Sequence, residues 1–185
     1  MKTAVIIPGL GDHVGYIRRA TSDWSEKYEI EPHIFSFGWG EPVEQYNEKY
    51  QKFLGLINEL SETSKVAIIG ISAGAGLALN ASADLPDRVS SVVNICGRVK
   101  NEKRGMWSFK GFPLHWKCIE ELQKKNIDSR KVLTFRPLFD ETVPVSDVLL
   151  EGADNKRVFV GFHIASIFWV LFTKGKTISN FINSS

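Results

Sequence analysis

Gly70-Ile71-Ser72-Ala73-Gly74 sets a serine between two glycines in the pattern G-x-S-x-G, at the end of the apolar run 66–69. In that pattern a strand turns abruptly into a helix and leaves the serine hydroxyl at the tip, where it can act as a nucleophile. A side chain at position 70 or 74 would collide with the neighbouring strand or helix as the backbone turns. A hydroxyl is a poor nucleophile until a base takes its proton, so Ser72 calls for a histidine and for an acid to orient it. The bland alternative is a tight strand-to-helix turn with a capping serine.

Four histidines are available. His13 lies in the first loop, His33 within the second strand and His115 beyond a basic stretch, whereas His163 stands in Gly161-Phe162-His163, directly after the expected last strand at 157–160. That placement puts His163 at the strand edge where Ser72 emerges, and makes it the expected base. The acid should follow a strand lying between serine and histidine. Asp140 does so, a few residues beyond the strand expected at 131–135, and it is preferred to Glu141, Asp147 and Asp154. Asp147, in a short helix at 145–150, and Asp154, in a glycine-bearing loop, read as solvated charges or caps. Attack on a carbonyl also needs donors for the oxyanion: the backbone N–H of Ala73, next to the nucleophile, and that of Leu10, between the glycines of Pro8-Gly9-Leu10-Gly11-Asp12. Asp12 is expected to cap the helix that follows.

The elements that must position these groups are legible as periodicity. Residues 3–7, 30–37, 66–69, 89–96, 131–135 and 157–160 read as strands, the second suited to a sheet edge by Pro32. Between them the spacing of Val14, Ile17, Thr21, Trp24 and Tyr28 predicts a helix, as do 43–60, the small-residue run 73–83, 115–125 and 164–172. Strands alternating with helices predict a three-layer α/β/α architecture around a mostly parallel sheet, with the site at the carboxyl ends of the strands.

The chain then resembles an α/β-hydrolase-fold serine hydrolase of compact, minimal-cap type, over almost its whole length. PGLGD stands in the place of the family's oxyanion loop, GISAG as its nucleophile elbow, DETVP as its acid loop and GFH as its histidine loop. The resemblance implies Ser72 as nucleophile, His163 as general base and then acid, Asp140 as its orienter, and Leu10 and Ala73 as oxyanion donors. Pro8 stands where many members carry histidine, and Phe162 separates Gly161 from His163 where many have the two adjacent. The implied reaction is acyl transfer to water on a small-molecule ester or thioester. A hydrolase-fold protein that binds a ligand or partner without turnover is the alternative.

The 185 residues suit one domain, 43% apolar and 24% charged. A net charge of +2 is too small to imply nucleic acid. A dinucleotide fold fails on spacing, because the third glycine of G-x-G-x-x-G would fall at Val14 or Leu79. Cys96 and Cys118 lack metal-site spacing and form no disulfide framework, so a cytoplasmic protein without metal or cofactor is expected. The first residues are too briefly apolar for a signal peptide, and 164–172 is about half a membrane span; it reads as a buried helix, with peripheral membrane contact as the alternative. The segment 97–116 holds Arg98, Lys100, Lys103, Arg104 and Lys110 among Met106, Trp107, Phe109 and Phe112. It reads either as a minimal cap lining an acyl pocket or as a solvated basic loop. Trp39 reads as a pocket edge or a core residue. Oligomeric state leaves no trace in the sequence.

Overall fold

A computed structural model of the chain describes residues 1–100 and 111–185. Its centre is a six-stranded sheet in the order β2-β1-β3-β4-β5-β6, built from β1 (Lys2–Ile7), β2 (Ile30–Ile34), β3 (Val66–Ile71), β4 (Val89–Ile95), β5 (Val132–Arg136) and β6 (Asp154–Arg157). Every neighbouring pair is parallel, so each connection must cross back over a face of the sheet. Both faces are therefore covered, and the central strands β3 and β4 are buried at every position. Along β1, Val5 and Ile7 join one core while Ala4 and Ile6 join the other; Val66 and Ile68 of β3 alternate with Ala67 and Ile69 in the same way.

The helices divide between these cores. On one side α3 (Tyr46–Leu60), α4 (Gly74–Asp84) and α5 (Pro113–Leu122) pack through Phe53, Leu77 and Ile119. On the other, α1 (Val14–Ala20), α2 (Trp24–Tyr28), α7 (His163–Thr173) and α8 (Gly175–Asn183) pack through Ile17, Trp24, Leu171 and Ile178. A short α6 (Val145–Val148) follows β5. The chain leaves β1 toward β2 and then returns to β3 on the other side of β1. The order of strands therefore reverses between β1 and β3, which is where an open parallel sheet leaves a crevice at its carboxyl edge.

Several boundaries differ from the periodic reading. The last strand is Asp154–Arg157 rather than 157–160, and Asp154 lies in it rather than in a loop. As an edge strand it is held by backbone pairing to β5 and needs no apolar run. The helix expected from Val14 to Tyr28 is two, interrupted where the Thr21 hydroxyl donates to the Ile17 carbonyl at 2.9 Å. A further helix, α8, follows α7. Among the described residues no helix is long and apolar enough to cross a membrane.

Candidate active site

Among the described residues, four of the five non-glycine positions at positive φ gather at one edge, Glu29 before β2 being the other. Asp12 after β1, Ser72 after β3, Cys96 after β4 and Phe162 after β6 all take positive φ, a region that side chains resist. At Ser72, φ is +51° and the amide N–H donates to the Ile95 carbonyl at 2.9 Å, fixing the turn between β3 and α4. The flanking glycines meet a steric demand from both sides. A Cβ on Gly70 would overlap the Ala75 backbone of α4, and one on Gly74 would overlap the Ile7 carbonyl of β1.

His163 opens α7 and is 3% exposed. Its Nε2 stands 2.8 Å from Ser72 Oγ, and its Nδ1 stands 2.7 Å from Asp140 Oδ2. A carboxylate can only accept, so Nδ1 carries the proton and Nε2 turns a lone pair to the serine hydroxyl. The other oxygen of Asp140 accepts from the Thr142 and Val143 N–H groups, each at 2.8 Å, which holds the carboxylate in place. Glu141 is not part of this relay, but its Oε2 accepts from the His163 backbone N–H at 2.9 Å and pins the start of α7. The sequence left that contact unread, because a carboxylate beside another carries no signal of which backbone it meets.

The loop after β1 runs against the serine. A Cβ on Gly9 would stand 2.9 Å from the Ser72 Cβ, and Leu10 shares a cavity wall with Ser72. Ala73 is the N-cap residue of α4, where the N–H groups of the first turn have no carbonyl one turn back. Asp12 does not cap α1, whose N-cap is His13 without a side-chain bond. Its carboxylate instead accepts from the N–H groups of Phe37, at 3.3 Å, and Gly38, at 2.8 Å. The left-handed turn at Asp12 aims its side chain across the loop rather than along the helix.

Beside Ser72 lies a cavity of about 540 Å³, walled chiefly by α1 and α7 through Tyr16, Ile17, Ile164, Ile167, Phe168 and Leu171. Of the pocket residues expected from the sequence, the two that are described, Trp39 and Phe112, are not among its walls. Trp39 is fully buried, packed on Phe37, with its Nε1 donating to the Pro8 carbonyl at 3.1 Å; its core reading holds. Phe112 packs half-buried against the core of α3, α4 and α5, on the opposite face of the sheet from α1 and α7. Trp107 and Phe109 lie outside the described residues, as does most of the basic part of 97–116. At the flanks of that segment Arg98 is buried rather than solvated, and pairs with Asp147 at 3.1 Å. Asp147 is likewise 0% exposed, not a solvated charge, because α6 folds back over the end of β4, where its Val148 carbonyl accepts from Asn94. A signal for the described walls was present in 163–173, a helix without Asp, Glu, Lys or Arg.

Burial controls the nearby titratable groups. It pushes the Cys96 thiol up, with the neighbouring Asp140 charge adding to the effect, so this cysteine stays protonated. It pushes the His115 imidazole down to about 4, helped by the Arg98 charge. Among the described residues no group of three or more His, Cys, Asp or Glu could hold a metal ion.

No family model matches the sequence, and no curated protein matches it. Solved structures do. A protein of the alpha/beta hydrolase superfamily from Xanthomonas campestris pv. campestris superposes with a TM-score of 0.71 at 13% identity, with 100% of each chain covered. A monoacylglycerol lipase from Paleococcus ferrophilus gives 0.66 at 16% identity over 99% of this chain and 95% of the other. The esterase domain of a Rhodothermus marinus protein gives 0.63 at 14%, over 98% and 87%. At such identities the likeness is one of fold: the chain has the α/β-hydrolase fold.

Proposed function

We propose that this α/β-hydrolase-fold chain is a serine hydrolase that cleaves a carboxylic ester or thioester through an acyl-enzyme. The observation that carries the reading is the relay from Ser72 Oγ through both nitrogens of His163 to Asp140. As Ser72 Oγ bonds to the carbonyl carbon, His163 Nε2 takes the hydroxyl proton and Asp140 balances the imidazolium. The carbonyl oxygen becomes an oxyanion that accepts from the backbone N–H groups of Leu10 and Ala73. The imidazolium then gives its proton to the departing alkoxide or thiolate. Water, deprotonated by the same nitrogen, attacks the acyl-serine, and the proton returns to Ser72 Oγ as the acid leaves.

The apolar cavity beside Ser72 suits an aliphatic acyl group, and the lipase and esterase among the structural likenesses point the same way. Both cysteines are unpaired and buried, which suits a reducing compartment such as the cytoplasm. Labelling with a fluorophosphonate probe tests the reading. Wild-type protein should be labelled and Ser72→Ala should not. Folded wild type that resists the probe would leave a ligand-binding protein without turnover.

A further inference from the structure

The wall of the cavity is also the outer surface of the protein. Helix α7 contains no charged residue in its eleven positions, and its outward side carries Ile164, Ala165, Trp169 and Phe172, all exposed. A helix that only covers a sheet places polar residues there. The apolar surface continues around the mouth. Tyr16 of α1 stands edge-on to Phe168 at 5.9 Å, and Phe139 stands edge-on to Phe162 at 6.0 Å, with Tyr16, Phe139 and Phe162 each more than half exposed.

Phe162 sharpens the point. It occupies φ +70° and ψ 138°, a backbone region that belongs to glycine, yet it holds a ring 62% exposed. Neither burial nor local geometry accounts for a phenylalanine there.

The charges on the helices that carry this surface have one sign. Among α1, α7 and α8 and the residue joining the last two, Arg18, Arg19, Lys174 and Lys176 are cationic and no residue is acidic, in a chain whose overall charge is only +2. The acids on the mouth loops are engaged: Asp12 by the Phe37 and Gly38 N–H groups, Asp140 by the His163 ring and Glu141 by the His163 backbone N–H.

We infer that this face docks on an anionic lipid layer, with α7 and the Phe139 and Phe162 loops in the interfacial region and the four cations on the headgroups. Ile164 and Phe168 touch both the outside and the cavity, so an acyl chain can pass from the layer toward Ser72 without crossing water. A second copy seated on the same face would close that mouth, which is why the lipid layer is the occupant. The docking stands on the surface alone. That the layer delivers the substrate rests on the hydrolase reading.

Co-sedimentation of the full chain with phosphatidylcholine vesicles, with and without phosphatidylglycerol, tests this. Wild type and Ser72→Ala should both bind the anionic vesicles, and more weakly the neutral ones. The double variant Trp169→Glu/Phe172→Glu should lose more than about tenfold in vesicle affinity while hydrolysing a short soluble p-nitrophenyl ester like wild type, since neither residue lines the cavity. Arg18→Glu/Arg19→Glu should lose affinity for anionic vesicles only. Wild type that hydrolyses the soluble ester but stays in solution with anionic vesicles overturns the docking and leaves the hydrolase reading standing. Vesicle binding without ester turnover supports the docking and removes the hydrolase reading. A dimer in sedimentation velocity that the Trp169→Glu/Phe172→Glu variant dissolves overturns it as well, in favour of a self-interface.

Discussion

The indole Nε1 of Trp39 donates to the carbonyl of Pro8 at 3.1 Å, tying a fully buried core side chain to the first residue of the loop that passes under Ser72. Asp12 holds the other end of that loop to the Phe37 and Gly38 N–H groups. The loop is thus clamped at both ends to the segment after β2, with the Leu10 N–H between the clamps.

Trp39→Phe keeps an aromatic ring in the core and removes the bond to Pro8. It should cost about 1 kcal/mol of stability together with lost packing volume, and lower kcat for a p-nitrophenyl ester by roughly tenfold or more with little change in KM. A kcat equal to wild type in a variant with lowered Tm would show that the bond serves the core and not the oxyanion donor.

The relay predicts graded losses. Ser72→Ala and His163→Ala should each abolish ester hydrolysis, by about a million-fold in kcat if they act as one unit, and Asp140→Asn should cost about ten-thousand-fold by disfavouring the Nδ1–H form of His163. All three should remain folded by circular dichroism. Turnover by Ser72→Ala at the wild-type rate would remove Ser72 from the chemistry.

Asp147 should behave oppositely to Asp140. It faces Arg98 at 3.1 Å with both side chains shut off from water. Asp147→Ala leaves the guanidinium without that carboxylate and should destabilise the fold by about 3 kcal/mol or more in urea titration. The surviving folded fraction should keep its activity per molecule. A large loss of kcat at full stability would instead place Asp147 among the groups that serve catalysis.

His115 sets a pH dependence of stability. Its folded-state value of about 4 lies below the ordinary 6.5, because burial and the Arg98 charge both disfavour the imidazolium. Above 6.5 both states are neutral and this group adds no slope. As pH falls from 6.5 toward 4 the unfolded chain takes a proton that the native state refuses, so stability drops, by at most about 3 kcal/mol over the window. The urea midpoint of wild type should therefore fall relative to that of His115→Phe as pH is lowered from 6.5 toward 4. Parallel curves would mean that another group carries the acid sensitivity.

Much of this was legible in the chain. Gly70 and Gly74 read as sterically required because a strand that turns at once into a packed helix leaves no room for a Cβ, and the coordinates show the backbone atoms that would be struck. The runs that became β1, β3 and β4 were evident because both faces of a parallel sheet are buried, so such strands read as largely apolar, β-branched runs rather than as an alternation of apolar and polar. The strand β6 was misplaced for the converse reason. It sits at an edge, is held by backbone bonds, and its residues Asp154-Asn155-Lys156-Arg157 carry no periodic signal.

What the sequence determined by itself is local: the elbow at Ser72, the alternation of strands and helices, and the order of alcohol, carboxylate and imidazole along the chain. Only the tertiary structure decided that partners 91 and 23 residues from His163 meet its two nitrogens, that Trp39 and Asp12 brace the loop under Ser72, and that α1 and α7 wall the cavity. The reason is physical. Periodicity reports how much of each residue must be buried, whereas the partner that buries it is set by the path of the chain across the sheet, and residues of one local pattern can serve either face.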